Sequence, residues 1–78
     1  GGREIVSKHF VTRVTTPETP FIPHKHEVRE LWFMIEGNAV VSLDGINHDV
    51  EARDLIAVDP WVEHGLSTTT RAVWICMG

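Results

Sequence analysis

Cysteine is nearly missing from this chain. Cys76 is the only one, so no intrachain disulfide can staple the fold, and the composition fits a reducing compartment with the cytoplasm as the expected location. No apolar run approaches the roughly 18 residues needed to cross a bilayer, so a membrane protein is not expected. Basic residues are scarce as well: the seven Lys and Arg are spread thinly from Arg3 to Arg71, the net charge is -4, and no basic stripe awaits a phosphate backbone. Nucleic acid is therefore not an expected partner. Gly37, Gly45 and Gly65 stand singly at turns or strand ends rather than in a G-x-G cluster, and no Ser-His-Asp order is visible, which leaves nucleotide-binding and hydrolase-triad readings weak. The stretch Gly1-Gly2-Arg3-Glu4 lacks the apolar core of a secretory signal, and Gly1-Gly2 reads as a processing or cloning remnant.

A sustained apolar stripe at helical period is absent too, so no helix is expected. The chain instead shows short β-rich runs separated by turn signals about every 8 to 12 residues, the spacing of an all-β sandwich or barrel. Ile5 to Thr16 carries two such stretches, and Thr16-Pro17-Glu18-Thr19-Pro20 is a loop because proline removes a backbone donor and extends its predecessor. Further strands are expected at Ile22 to His26, Leu31 to Glu36, Ala39 to Leu43, Ile46 to Val50, Leu55 to Val58, His64 to Thr68 and Ala72 to Cys76. Asp44-Gly45 between two β-rich runs predicts a type I′ hairpin, whose central residues both need positive φ. At 78 residues the chain is expected to form one domain over 1–78, small enough that a metal or a partner subunit should help to stabilise it.

Four residues carry chemistry: His24, His26, Glu30 and His64. Imidazoles and a carboxylate suit a divalent first-row transition ion, and three neutral ligands with one anion leave that ion electrophilic. On a strand, His24 and His26 would project from one face about 6 to 7 Å apart, Glu30 would join from the next strand, and His64 would reach the same cavity across a closed barrel. Leu31, Trp32, Phe33, Met34 and Ile35 are all apolar, so both faces of their strand call for burial. If Glu30 points inward, Trp32 and Met34 share its face, while Leu31, Phe33 and Ile35 face outward and are expected to make a homodimer contact.

With these residues in place the sequence resembles the cupin superfamily. That family's first motif is HxH, three or four residues, Glu, six residues and Gly; it is met by His24-Lys25-His26, Glu30 and Gly37. Its second motif, a Gly-Asp turn, a strand, a Pro-containing turn and His, is approximated by Arg53-Asp54, Leu55 to Val58, Asp59-Pro60-Trp61 and His64. The resemblance covers Thr16 to Cys76 and implies a small double-stranded β-helix barrel whose metal ligands are His24, His26, Glu30 and His64. Arg53 and Trp61 stand where the family usually has glycine, Glu18 or Thr19 stands where the first motif opens with one, and Thr68 replaces an occasional asparagine.

Other residues have plainer readings. His9 and His48 lack partners at ligand spacing and read as solvated strand histidines, and Arg29 reads as a surface or interface residue. Trp32, Met34 and Trp61 are candidate walls of a substrate pocket, with plain core as the alternative for large apolar side chains. Cys76 has no neighbouring base in sequence and does not read as a catalytic thiol. The expected function is a metal-dependent enzyme on a small organic substrate. The ion is one of Fe, Mn, Ni, Zn, Cu or Co; an oxygenase with Fe(II), or less often Mn, Ni or Cu, binding substrate and dioxygen is set against an isomerase or lyase acting on a sugar or carbonyl compound. Glu30 would be a fixed ligand or, swung off the ion, a general base. The inner face offers no evident Lys or Arg cluster, which suits a weakly charged substrate. A non-catalytic ligand-binding module and a purely structural dimerisation module are the other readings.

Overall fold

Eight strands run through the computed structural model, which describes residues 9–78. They are β1 (Phe10–Thr15), β2 (Phe21–His24), β3 (Glu30–Glu36), β4 (Asn38–Leu43), β5 (Ile46–Glu51), β6 (Leu55–Val58), β7 (His64–Ser67) and β8 (Ala72–Met77). They form two four-stranded antiparallel sheets, ordered β1-β8-β3-β6 and β2-β7-β4-β5, that face each other as an open barrel. No helix occurs among the described residues, hence none long and apolar enough to cross a membrane. The expected all-β class holds. Of the first β-rich stretch, Ile5 to Lys8 lies outside the described residues.

Alternation builds the core. Inward residues Trp32, Met34, Val41, Val58, Leu66, Ala72, Trp74 and Cys76 are almost fully buried. Their neighbours in sequence on β3 turn outward in the expected phase: Leu31 is 37% and Ile35 43% exposed, and Phe33 is half-buried. Trp32 and Trp74 meet at the centre with ring centroids 4.6 Å apart, and Phe21 stacks on both. The Trp74 indole donates to the Thr15 hydroxyl at 3.0 Å, so its polar edge is satisfied inside the barrel.

Turns obey their chemistry. Asp44 and Gly45 take φ of 50° and 80°, and β4 pairs with β5 from Asn38↔Glu51 to Leu43↔Ile46, the expected type I′ hairpin. Gly37, at φ 86°, lies so close to the turn before β8 that an added Cβ would collide with the Arg71 carbonyl oxygen. Arg53 (φ 79°) and Trp61 (φ 64°) adopt the left-handed conformation without being glycine.

One expected strand is shorter than its sequence implied, and the difference matters for the site. The strand expected over Ile22 to His26 ends at His24, and Lys25 and His26 belong to the loop towards β3. Pro23 gives β2 no donor at its middle, and the β2–β7 register shifts between Phe21 and His24. His26 therefore does not share a strand face with His24. Its backbone carbonyl instead accepts a hydrogen bond from the Trp61 amide at 2.8 Å, which ties the histidine loop to the turn before β7.

Candidate metal centre

His24 ends β2 and His64 begins β7, and the two are directly opposed across the antiparallel ladder. Opposed residues carry their side chains to one side, and these two rings lie 4.5 Å apart between centroids. Close approach of β2 to β7 depends on Gly65, where an added Cβ would come within 2.8 Å of Pro23 Cγ and 3.0 Å of the Phe21 carbonyl oxygen. His26 drops in from the loop, its ring 4.8 Å from His64 and 5.6 Å from His24. Ligand atoms of His24, His26 and His64 all fall within 4.8 Å of one another. Exposure is graded through the trio: His24 is exposed, His26 intermediate and His64 buried, so the site opens at one end of the barrel.

Glu30, the first residue of β3, closes the site from below. One carboxylate oxygen is 3.5 Å from His26 Nε2 and the other 3.6 Å from His64 Nε2. The second oxygen also accepts a 3.1 Å hydrogen bond from the Trp32 indole, two residues along the same face. Burial pulls the Glu30 carboxyl upward, but hydrogen bonds from Trp32 and Cys76, together with the attraction of His26 and His64 in their protonated forms, outweigh it, leaving the group below its usual range. Thus Glu30 is held as an anion.

The histidine tautomers fit an ion. His24 Nδ1 lies 2.9 Å from the Ile22 carbonyl oxygen and His64 Nδ1 2.7 Å from that of Val62. A carbonyl only accepts, so Nδ1 carries a proton in both rings, and the neutral ring keeps its lone pair on Nε2. His64 Nε2 is buried with no hydrogen-bond partner. Burial first, and then the charges of His24 and His26, depress the His64 pKa against the opposing pull of the Val62 carbonyl and Glu30. A neutral, buried acceptor nitrogen facing a carboxylate oxygen at 3.6 Å places two electron-rich groups together, and a cation between them resolves the conflict. The residues present fit a divalent metal.

The remaining candidates take up different positions. Trp32 lines the site directly, edge-on to His64 at 5.4 Å, and Met34 sits deeper in the core. Trp61 is exposed on the turn that tethers His26. His48 stays exposed on β5, as expected, whereas His9 does not fit its solvated reading: its ligand atom clusters with those of Glu30 and Cys76 within 4.8 Å. That proximity comes from β1 pairing with β8, which sequence spacing cannot reveal. Burial, together with the charge and hydrogen bonding of Glu30, pushes the Cys76 thiol up to about 11, in keeping with an unreactive thiol. Arg29 pairs with Asp59 at the surface. A cleft of about 600 Å³ opens at the other end of the barrel, between Asn38, Asp49, Glu51, Asp54 and Thr68, and none of the four site residues lines it.

Comparison with known proteins agrees with this fold. A family model described as the cupin domain matches residues 12–78, and the chain belongs to the cupin family. No curated protein matches the sequence. Among solved structures, an RmlC-like cupin from Shewanella frigidimarina superposes with a TM-score of 0.76 at 22% identity, over 87% of this chain and 63% of that one. A predicted oxalate decarboxylase from Thermotoga maritima gives 0.82 at 20% identity, over 91% and 64%. A cupin 2 conserved barrel domain protein from Salinispora arenicola gives 0.78 at 21%, over 87% and 59%. The chain spans less than two thirds of the length of these neighbours, and at such identities the likeness establishes the fold alone.

Proposed function

We propose that this cupin is a metal-dependent enzyme acting on a small organic substrate, with one divalent first-row transition ion held by His24, His26, His64 and Glu30. The observation that carries the reading is the buried, unpartnered Nε2 of His64, set opposite the Glu30 carboxylate with two further imidazoles within reach. A divalent ion there supplies Lewis acidity and open coordination positions, and an oxygenase reaction uses both. The chain's own residues do the rest. Trp32 orients Glu30, the Ile22 and Val62 carbonyls fix two imidazoles, and the exposed side of His24 leaves an entrance for substrate.

Metal analysis of protein purified without added ions is expected to give about one first-row metal per chain; a chain that retains none after exposure to Fe(II), Mn(II) and Co(II) overturns the reading. Oxygen uptake by the Fe(II)-loaded protein with small diketones, phenols and thiols then tests the oxygenase reaction. A second reading, a lyase acting on a small carboxylate, is favoured by the name of the Thermotoga neighbour; turnover without net oxygen uptake distinguishes it.

A further inference from the structure

A cation points into the barrel where none was expected. Along β1, Val11, Arg13 and Thr15 turn inward while Phe10, Thr12 and Val14 turn out. The β1–β8 register sets Arg13 opposite Trp74, so its side chain enters the gap between the two sheets beside the aromatic core. The guanidinium carbon lies over the Phe21 ring, 4.9 Å from its centroid, and 5.9 Å from that of Trp74. Aromatic faces satisfy the flat faces of a guanidinium, but its N–H donors lie in the plane and need acceptors at the edge.

Those acceptors are missing. Among the described residues no hydrogen bond or ion pair reaches the Arg13 guanidinium, and its Nε is buried with no partner. Glu30, the buried carboxylate of the interior, is engaged by Trp32, Cys76, His26 and His64, and Arg13 is not among the charges acting on it. A shielded, unsatisfied donor on a permanent cation is costly unless an anion from outside completes it. Beside it is a cleft of about 190 Å³ lined by Arg13, Thr15, Thr19 and Phe21, room for a molecule of a few heavy atoms.

We infer that Arg13 is an anion-binding residue, and that the cleft between β1 and β2 takes a small carboxylate, its two oxygens on the guanidinium edge and its carbon skeleton against Phe21. Planar bidentate pairing is the chemistry an Arg fork offers and a Lys point charge does not. Phe21 also lies 4.7 Å from the His24 ring and 6.2 Å from that of His64, between centroids, so one aromatic ring separates the anion site from the histidines. The inference does not depend on a metal.

The Arg13 Nε–Hε resonance gives the direct test, on metal-free and metal-loaded protein alike. Titration with acetate, propionate and benzoate is expected to shift it saturably, while acetamide, propionamide and chloride leave it in place. Arg13→Gln is expected to weaken carboxylate binding, read at the Thr19 and Phe21 amides, by at least tenfold, and Arg13→Lys to restore only part of it. Equal shifts with chloride, or none with any carboxylate, overturn the inference. An inward charge on an edge strand can also guard against edge-to-edge association, and β1 is an edge strand. That role alone would leave the wild-type resonance unmoved by carboxylates while Arg13→Gln aggregates.

Discussion

His64 is the residue on which the site turns. It is buried and held neutral, with a proton on Nδ1 and a free lone pair on Nε2. Replacing it or Glu30 by Ala is expected to abolish metal retention at micromolar protein, measured by metal analysis after desalting, whereas His48→Ala on β5 is expected to retain metal like the wild type. Equal retention by all three proteins would remove His64 and Glu30 from the ligand set. The protonation behaviour of the same residues predicts a pH dependence. His64 and Glu30 both have folded-state pKa values below their ordinary values of 6.5 and 4.5, so on acidification the unfolded chain takes up their protons first. Stability from His64 is present above its unfolded pKa and is lost as pH falls through its folded one, with Glu30 following further down. The metal-free protein is therefore expected to melt progressively lower between about pH 7 and pH 4; a melting temperature that rises over that range contradicts the assignment.

Among the elements, the turns hold the most testable chemistry. Arg53 and Trp61 occupy left-handed conformations at two of the positions where the family resemblance led one to expect glycine. Arg53→Gly removes the Cβ that makes this conformation unfavourable and is expected to stabilise the fold by about 0.5–1 kcal/mol, read from denaturant midpoints. Gly37→Ala acts the other way. A side chain there meets the Arg71 carbonyl as well as an unfavourable φ, and a loss of about 2 kcal/mol or more is expected. Most strands were legible in the sequence because alternation and turn residues act locally: Asp44-Gly45 marked its hairpin, and the five-residue apolar run of β3 divided into its two faces. The strand through His26 was not legible, since the register of β2 against β7 and the tether from Trp61 are contacts between distant segments.

At the scale of the whole molecule, the outer face of the β1-β8-β3-β6 sheet stands apart. Register aligns Phe10, Met77, Leu31 and Ala57 in one cross-strand row and Thr12, Ile75, Phe33 and Leu55 in the next, an almost wholly apolar surface. The other sheet presents Asn47, Asp49 and Glu51 on β5 instead. We propose that a second copy of the chain covers the apolar face. These two rows carry no charge to oppose their own copy, and a core of this size gains from the burial. Sedimentation at micromolar concentration is expected to give a dimer, and Leu31→Lys with Leu55→Lys a folded monomer; a wild-type monomer rules the contact out. Leu55 is 62% exposed, so its loss should not disturb the core.

The sequence by itself determined the all-β class, the turns and the inward and outward faces of β3, because each follows from local spacing or residue type, and it singled out His24, His26, Glu30 and His64 as candidates by residue type and, for His64, by the family resemblance. Only the tertiary structure decided how those four meet: His24 beside His64 through strand pairing, His26 through a loop, and Glu30 fixed by Trp32. It also brought His9 to Glu30 and Cys76, and set Arg13 inside the barrel with no acidic partner among the described residues. Such placements depend on which strands become neighbours, and the pairing of distant strands follows from the closing of the whole core.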